Sequence, residues 1–298
     1  MDGDMKPGHG TGNGRARRAR RKRLEQIDPD IESPLGAAIA ERDRSALTLV
    51  EEALDRGDAA LAYQPIVRAD GNGTAFYEGL IRILDGEGRV IPAGDFMGAV
   101  EERDLGRRID CAALVAGLRA LKAHPGLRLS VNMSARSIGY PQWMGILRRF
   151  VRNHPAALER LILEITESSV MLMPEIVYVF MEEFQAKGVT FALDDFGAGY
   201  TAFRHLKRFC FDVLKIDGQF VRDVDRDADN QVATEVLISL GRHFDMLVVA
   251  EAVETEAEAK WLAQSGVDCL QGYYYSVPSM KPPWETDKEV ARKTASSG

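Results

Sequence analysis

Val189-Thr190-Phe191-Ala192-Leu193-Asp194-Asp195-Phe196-Gly197-Ala198-Gly199-Tyr200 is the stretch on which the reading of this chain turns. Residues 189–193 are short, β-rich and almost wholly apolar, which suits a strand covered on both faces, as in a parallel sheet. Asp194 and Asp195 then stand at its C-terminal end, ahead of a glycine-rich turn. Adjacent carboxylates repel unless one is protonated or a metal ion or lysine lies between them. The stretch therefore predicts a strand that delivers negative charge to a rim, and it requires a counter-charge from elsewhere in the chain.

The flanking sequence repeats this pattern. Downstream, strand-like 213–214 runs into Lys215, 247–250 into Glu251 and 268–270 into Gln271, with helical patterns over 201–208, 230–244 and 256–264. Upstream, strand-like 127–131 ends at Asn132 and 161–165 contains Glu164, each followed by a helical pattern, over 140–152 and 174–186. Further back, the apolar spacing predicts a long helix over 95–123 and strands over 61–67 and 75–84. The turn Asp70-Gly71-Asn72-Gly73 makes the latter two a hairpin rather than a parallel pair. A helix over 34–56 precedes them. Alternating strands and helices in this number predict an α/β fold, either a (β/α)₈ barrel or an open doubly wound sheet. An open sheet concentrates polar residues near one switch point, whereas here they end strands all along the chain. The reading is therefore a TIM-type barrel modified by an antiparallel first strand. It divides the chain into a disordered basic tail (1–32), a barrel domain with its N-terminal helix (33–285) and a C-terminal tail (286–298).

Composition narrows the class. A 298-residue chain that is 45% hydrophobic can bury a sizeable core. No apolar run approaches bilayer length and no hydrophobic signal segment follows the Gly-rich, Arg-rich start, so the chain reads as cytoplasmic. Residues 1–23 carry eight basic and two acidic side chains, which leaves −13 on the remainder of a chain whose net charge is −7. Such a tail would bind nucleic acid or anionic lipid if it had stacking aromatics or an amphipathic period. It has neither and reads as a solvated start. Cys111, Cys210 and Cys269 each lie in an apolar stretch and read as buried free thiols. The five histidines show no ligand spacing.

The strand-end residues define a chemistry. Glu78, Asn132, Glu164, Asp194 and Asp195 are all oxygen donors, a set that suits Mg²⁺ or Mn²⁺ rather than zinc. So many acids exceed the needs of one ion. Two ions about 3.5–4 Å apart, bridged by an aspartate, would stabilise the attacking and leaving oxygens of a phosphoryl transfer. Lys215 would orient water or neutralise charge, and Glu251 would act as general base. Taken singly, each residue also fits a cap or a surface ion pair, and Arg82 fits either a phosphate clamp or a partner for an acid. Their recurrence at the same end of nearly every strand favours a site.

Over roughly residues 45–285 the chain resembles the EAL-domain cyclic-di-GMP phosphodiesterases. The signature appears as Glu78-Gly79-Leu80, followed by Ile81-Arg82. The other motifs follow in order: Tyr63-Gln64-Pro65-Ile66 upstream, then Ser130 to Ser134, Leu163 to Glu167, Asp194 to Tyr200, Lys215-Ile216-Asp217, Ala250 to Glu254 and Gln271-Gly272-Tyr273. The resemblance implies hydrolysis of cyclic di-GMP to linear pGpG with two Mg²⁺ or Mn²⁺ ions. By it, Glu78, Asn132, Glu164, Asp194 and Asp195 are metal ligands, Lys215 is the water-orienting lysine and Glu251 the base. Gln64, Leu80 and Arg82 resemble substrate contacts, and Gln271 a residue of the metal, water and substrate shell. Glu167 resembles the glutamate that holds the loop after Asp195, a region that in the family belongs to a homodimer surface coupled to activity. The alternative within the family is a catalytically silent cyclic-di-GMP receptor or protein-interaction module. No GGDEF or sensory domain of useful size accompanies the motifs, so regulation is expected through the tail, the N-terminal helix, the dimer or another protein. Two departures stand out. Gly79 replaces alanine, which would leave more room near the ligand. Ala252 replaces glycine, which matters if that position needs φ > 0.

Overall fold

The two longest strands, β1 (Ala59–Arg68) and β2 (Thr74–Leu84), form the expected antiparallel hairpin in a computed structural model that describes residues 34–100, 103–197, 206–282 and 284. The turn between them uses Gly71 and Gly73 at φ 79° and 85°, a region glycine enters without steric cost. The other strands are β3 (Val90–Ile91), β4 (Leu129–Asn132), β5 (Leu161–Thr166), β6 (Thr190–Phe196), β7 (Val213–Ile216), β8 (Leu247–Ala250) and β9 (Cys269–Leu270). The order β1-β9-β8-β7-β6-β5-β4-β2 closes through the β1–β2 pairing into an eight-stranded barrel, with β3 added antiparallel at the end of β2. β1 is antiparallel to both its neighbours and the remaining barrel pairs are parallel. The modified-barrel reading therefore stands.

The helices are α1 (Pro34–Arg56), α2 (Met97–Val100), α3 (Asp104–Ala123), α4 (Pro141–Asn153), α5 (Glu167–Leu172), α6 (Pro174–Gln185), α7 (Gly218–Val221), α8 (Ala228–His243) and α9 (Glu256–Ser265). The long helix predicted over 95–123 is broken, because Arg103 is extended at φ −99°, ψ 167° and caps α3 afresh. Two short helices, α5 and α7, are additions to the sequence reading. Thr166 and Asp217 start them by accepting the backbone N–H of Ser169 and Gln219. The chain divides into two units at Ala46 and Leu47. The second contains the barrel, and of the first only helical residues 34–46 are described. The expected basic tail, the C-terminal tail and most of the helix predicted over 201–208 lie outside the described residues.

Strand alternation builds two layers inside the barrel. Ile66, Phe76, Ile162, Ala192, Val213, Val249 and Cys269 form a buried apolar cluster. Two residues farther toward the C-terminal ends stand Glu78, Glu164, Asp194, Lys215, Glu251 and Gln271. On β1, which runs the other way, the matching residue is Gln64, two before Ile66. Outside the barrel a second buried cluster joins the strands to the helices through residues such as Leu61, Leu129, Phe191 and Leu214.

Two expectations are corrected here. A Cβ on Gly79 would lie 3.0 Å from Leu61 Cδ1, 3.2 Å from the Ser130 carbonyl and 3.4 Å from Leu129 Cδ1. Gly79 thus faces the helix-side core with Leu61 and Leu129, away from the polar layer inside the barrel. Of the three thiols, Cys111 and Cys269 are buried, but Cys210 is exposed, because Phe209 and Phe211 on either side of it turn inward.

Candidate functional site

Lys215, on β7, is the centre of the polar layer. Its side chain is only 1% exposed, and its Nζ lies 2.6 Å from Glu251 Oε1, 2.7 Å from Glu164 Oε2, 2.9 Å from Asp194 Oδ1 and 3.5 Å from Glu78 Oε2. Four strands thereby point carboxylates at one ammonium group. Around it, Asn132 Nδ2 donates to Glu78 Oε1 at 2.7 Å, and Gln271 Nε2 donates to Glu78 Oε2 at 2.6 Å and to Gln64 Oε1 at 3.0 Å. Gln64 in turn donates to the Ser276 carbonyl. This is the counter-charge that Asp194 and Asp195 required, and one lysine does not balance five acids.

The electrostatics follow from that imbalance. Burial opposes ionisation of Lys215, but the charges of Asp194, Glu164, Glu251 and Glu78 hold it well above its ordinary value. Burial also opposes the Glu78 carboxylate, yet Lys215 and the bonds from Gln271 and Asn132 outweigh it and hold Glu78 below the usual range. Glu164 is pushed up to about 8 by burial, with Glu78 and Asp194 adding to the effect and Lys215 opposing it. Burial and the neighbouring charges of Asp194 and Glu78 likewise raise Glu251 well above the carboxylate range despite Lys215. Asp195 is pushed up to about 6 by burial, then by Asp194 and Asp217. Without a further cation, the cluster keeps Lys215 charged and favours the protonated forms of Glu164 and Glu251.

The donor set suits a hard divalent ion. One carboxylate oxygen from each of Asp194, Asp195 and Glu251 lies within 4.8 Å of the others. Glu164 Oε1 and Gln271 Oε1 are buried without a hydrogen-bond partner, and Asp194 Oδ1 meets the Lys215 ammonium alone; such oxygens are costly unless something cationic meets them. Of the five ligands expected from the sequence, Asp194 and Asp195 stand in this triad with Glu251. Glu78, Asn132 and Glu164 are engaged with one another's neighbours, with Gln271 and with Lys215.

Loop geometry sets the rim. Asp195 adopts φ 54° and Gly197 φ 99°, and Glu167 Oε2, at the start of α5, accepts the Gly197 N–H at 2.8 Å. Residues 198–205, where the expected dimer surface begins, lie outside the described residues. Ala252 adopts φ 53°, so the departure from glycine falls on a left-handed position. A cavity of about 380 Å³ opens over Lys215, walled by Leu80, Ala252, Glu254, Gly272 and Tyr273. Arg82 lies two residues beyond Leu80 on the same side of β2, half-buried, and donates to the Ile81 carbonyl. Glu254, Tyr273 and Asp217 belong to motifs quoted from the sequence, but the sequence reading gave them no role. A larger apolar groove of about 800 Å³ between α4 and α6 has no such cluster, and Arg148 and Glu175 on its rim pair with Glu183 and Arg208.

Residues 49–278 match the family model of the EAL domain. With this match over more than half of its length, the chain belongs to the EAL domain family. It is 31% identical over 246 residues to MucR of Pseudomonas aeruginosa, named a bifunctional diguanylate cyclase/cyclic di-GMP phosphodiesterase, covering 81% of this chain and 36% of MucR. It is 31% identical over 236 residues to PdeA of Escherichia coli, a probable cyclic di-GMP phosphodiesterase, covering 78% and 32%. The chain thus spans about a third of the length of these relatives. Among solved structures, it superposes on the PaMucR phosphodiesterase in complex with c-di-GMP with TM-score 0.71 and 30% identity, covering 81% of this chain and 99% of that one. It also superposes on the FimX EAL domain of Pseudomonas aeruginosa bound to c-di-GMP, with TM-score 0.69 and 27% identity, covering 79% and 96%.

Proposed function

We propose that this barrel is a metal-dependent phosphodiesterase that hydrolyses one phosphodiester of cyclic di-GMP to give linear pGpG. The observation that carries the reading is the buried Lys215 ringed by Glu78, Glu164, Asp194 and Glu251, with two buried oxygens, Glu164 Oε1 and Gln271 Oε1, left without partners. The names of the relatives and the c-di-GMP in the neighbouring structures supply the substrate. Two Mg²⁺ or Mn²⁺ ions, held by Glu78, Asn132, Glu164, Asp194 and Asp195, would acidify a water and neutralise phosphate charge.

The remaining steps belong to the chain. Lys215 holds Glu251 at 2.6 Å and presents a positive charge to the incoming water. Glu251, ionised once cations share the site, takes the proton from that water. Gln64, Leu80, Arg82 and Gln271 bind the dinucleotide along the β1–β2 side of the mouth. Glu167 keeps the turn after Asp195 in shape through the Gly197 N–H. A homodimer through the region following Asp195 and a cytoplasmic setting complete the proposal. In the described residues, no helix is long and apolar enough to cross a membrane.

Incubation of the purified chain with cyclic di-GMP and Mg²⁺ or Mn²⁺ tests the reading, with pGpG as the expected product. Tight binding without pGpG would establish the silent receptor instead. Glu251→Gln is expected to abolish turnover, by about 10²–10⁴-fold as for a lost general base, while cyclic di-GMP still binds. Unchanged turnover would remove Glu251 from its role.

A further inference from the structure

Asp110 lies on α3, outside the barrel, and the chemistry above does not use it. Its Oδ2 accepts the Ser134 N–H at 2.9 Å and the Ser137 hydroxyl at 2.5 Å. These two bonds hold the 3₁₀ turn Ala135–Ser137, which begins three residues after Asn132. The same segment is tied on its other side to β5 and α5. Met133 N–H donates to the Glu164 carbonyl at 2.9 Å, and Ala135 N–H donates to Ser169 Oγ at 2.8 Å. Ser169 shares α5 with Glu167, which accepts the Gly197 N–H. A line of hydrogen bonds and one short helix thus runs from α3 across the ends of β4, β5 and β6, the strands that carry Asn132, Glu164, Asp194 and Asp195.

The choice of residue is informative. Loss of solvent pushes the Asp110 carboxyl up to about 6, against the pull of its two bonds. A serine or asparagine at an exposed position would satisfy an ordinary turn. A half-buried carboxylate on a neighbouring helix, which makes no ion pair among the described residues, holds the turn at higher cost and with less freedom. Groups that orient ligands from behind in this way commonly change metal affinity when removed.

Given the reading of the site under Proposed function, we propose that Asp110 is a positioning residue. By clamping the turn after β4, it sets Asn132 against Glu78 and the acidic cluster, and Ser169 carries the same brace to the turn after Asp195.

The test uses the full chain stripped of metal, with Mn²⁺ titrated and followed by electron paramagnetic resonance. Asp110→Leu is expected to weaken Mn²⁺ binding about tenfold, the low end of the range for lost outer contacts, and to speed amide exchange over residues 133–137. Asp110→Asn, which keeps an acceptor, should recover most of both. Asp268→Ala is the structural control, because Asp268 Oδ2 accepts the Val248 N–H at 2.8 Å at the opposite end of the barrel. It should lower stability without moving Mn²⁺ affinity. Should Asp110→Leu not fold, Ser137→Ala removes one of the two bonds and should give a smaller loss of affinity in the same direction. Unchanged affinity in folded Asp110→Leu or Ser137→Ala, or an equal loss in Asp268→Ala, overturns the proposal. A wild-type chain that binds no Mn²⁺ overturns the proposed function instead. Exchange then decides the brace alone, and unaltered protection over 133–137 in Asp110→Leu overturns it.

Discussion

Phe76 and Glu78 sit two residues apart on β2 and both point into the barrel, yet they belong to opposite kinds of interior. The layer of Phe76 is a closed apolar plug, to which seven strands contribute one side chain each. In the layer of Glu78, the same alternation presents acids, amides and one lysine. In the first, burial is its own stabilisation, at about 25 cal/mol per Å² of apolar surface. In the second, burial is a cost that only paired charges and hydrogen bonds offset. The plug supports the strands rigidly, so the layer above it can be held in an arrangement that the charges alone would not choose.

Replacing Lys215 by methionine removes the sole cation of the upper layer among the described residues, and this should be the largest effect. Turnover of cyclic di-GMP should fall by about 10²–10⁴-fold, the range for a lost proton-handling group. The variant should also sharpen a pH dependence already present in the metal-free protein. The carboxyls of Glu164 and Asp195 titrate at about 8 and about 6 when folded, above their ordinary values. The folded state therefore holds extra protons, and stability is highest at acid pH and declines as pH rises through about 6 to about 8. Thermal melts of the metal-free chain should show that decline, steeper in Lys215→Met, and Mg²⁺ should reverse it in the wild type. A melting temperature that rises over this interval would contradict the charge imbalance.

Phe76→Ala breaks the other layer. It should cost about 3–5 kcal/mol, as for truncation of a buried aromatic, measured by urea denaturation. Turnover per folded molecule should be nearly unchanged at low temperature, because Glu78 is held by Asn132, Gln271 and Lys215 rather than by the plug. Equal losses of stability and turnover would show that the two layers are not separable.

The two layers also differ in how far they could be read from the sequence. Polar residues that follow apolar runs at strand ends are a local signal, so Glu78, Asn132, Glu164, Asp194, Lys215, Glu251 and Gln271 were identified, and with them the barrel. What links one strand end to another is not local. The Asp110 clamp joins residues 24 and 27 positions apart, and nothing in α3 marks that aspartate from its charged neighbours. The direction faced by Gly79 depended on register, which set it against Leu61 and Leu129. The exposure of Cys210 depended on the inward turn of the phenylalanines around it. Short helices such as α5 and α7 are set by a single cap and fall below the length at which apolar periodicity is visible.

Ala252 tests the finest grain of the comparison, backbone conformation at the rim. At φ 53° it occupies the left-handed region, which costs an L-residue about 1–2 kcal/mol and glycine almost nothing. Its Cβ also faces Gly218 so closely that a Cβ there would lie 2.6 Å away. The loops after β7 and β8 thus meet at one methyl group beside Glu251. Ala252→Gly relieves the strain but adds about 0.5–1 kcal/mol of unfolded-chain entropy to be lost on folding, so a net gain of about 0.5 kcal/mol is expected in urea melts. Turnover should stay close to wild type, since Glu251 remains tied to Lys215 and its N–H still meets the Ile216 carbonyl at 3.2 Å. Gly218→Ala should move stability the other way, because there the new methyl has no space. If Ala252→Gly instead destabilises the chain, the contact with Gly218 outweighs the backbone strain, and the methyl group is a structural part of the rim.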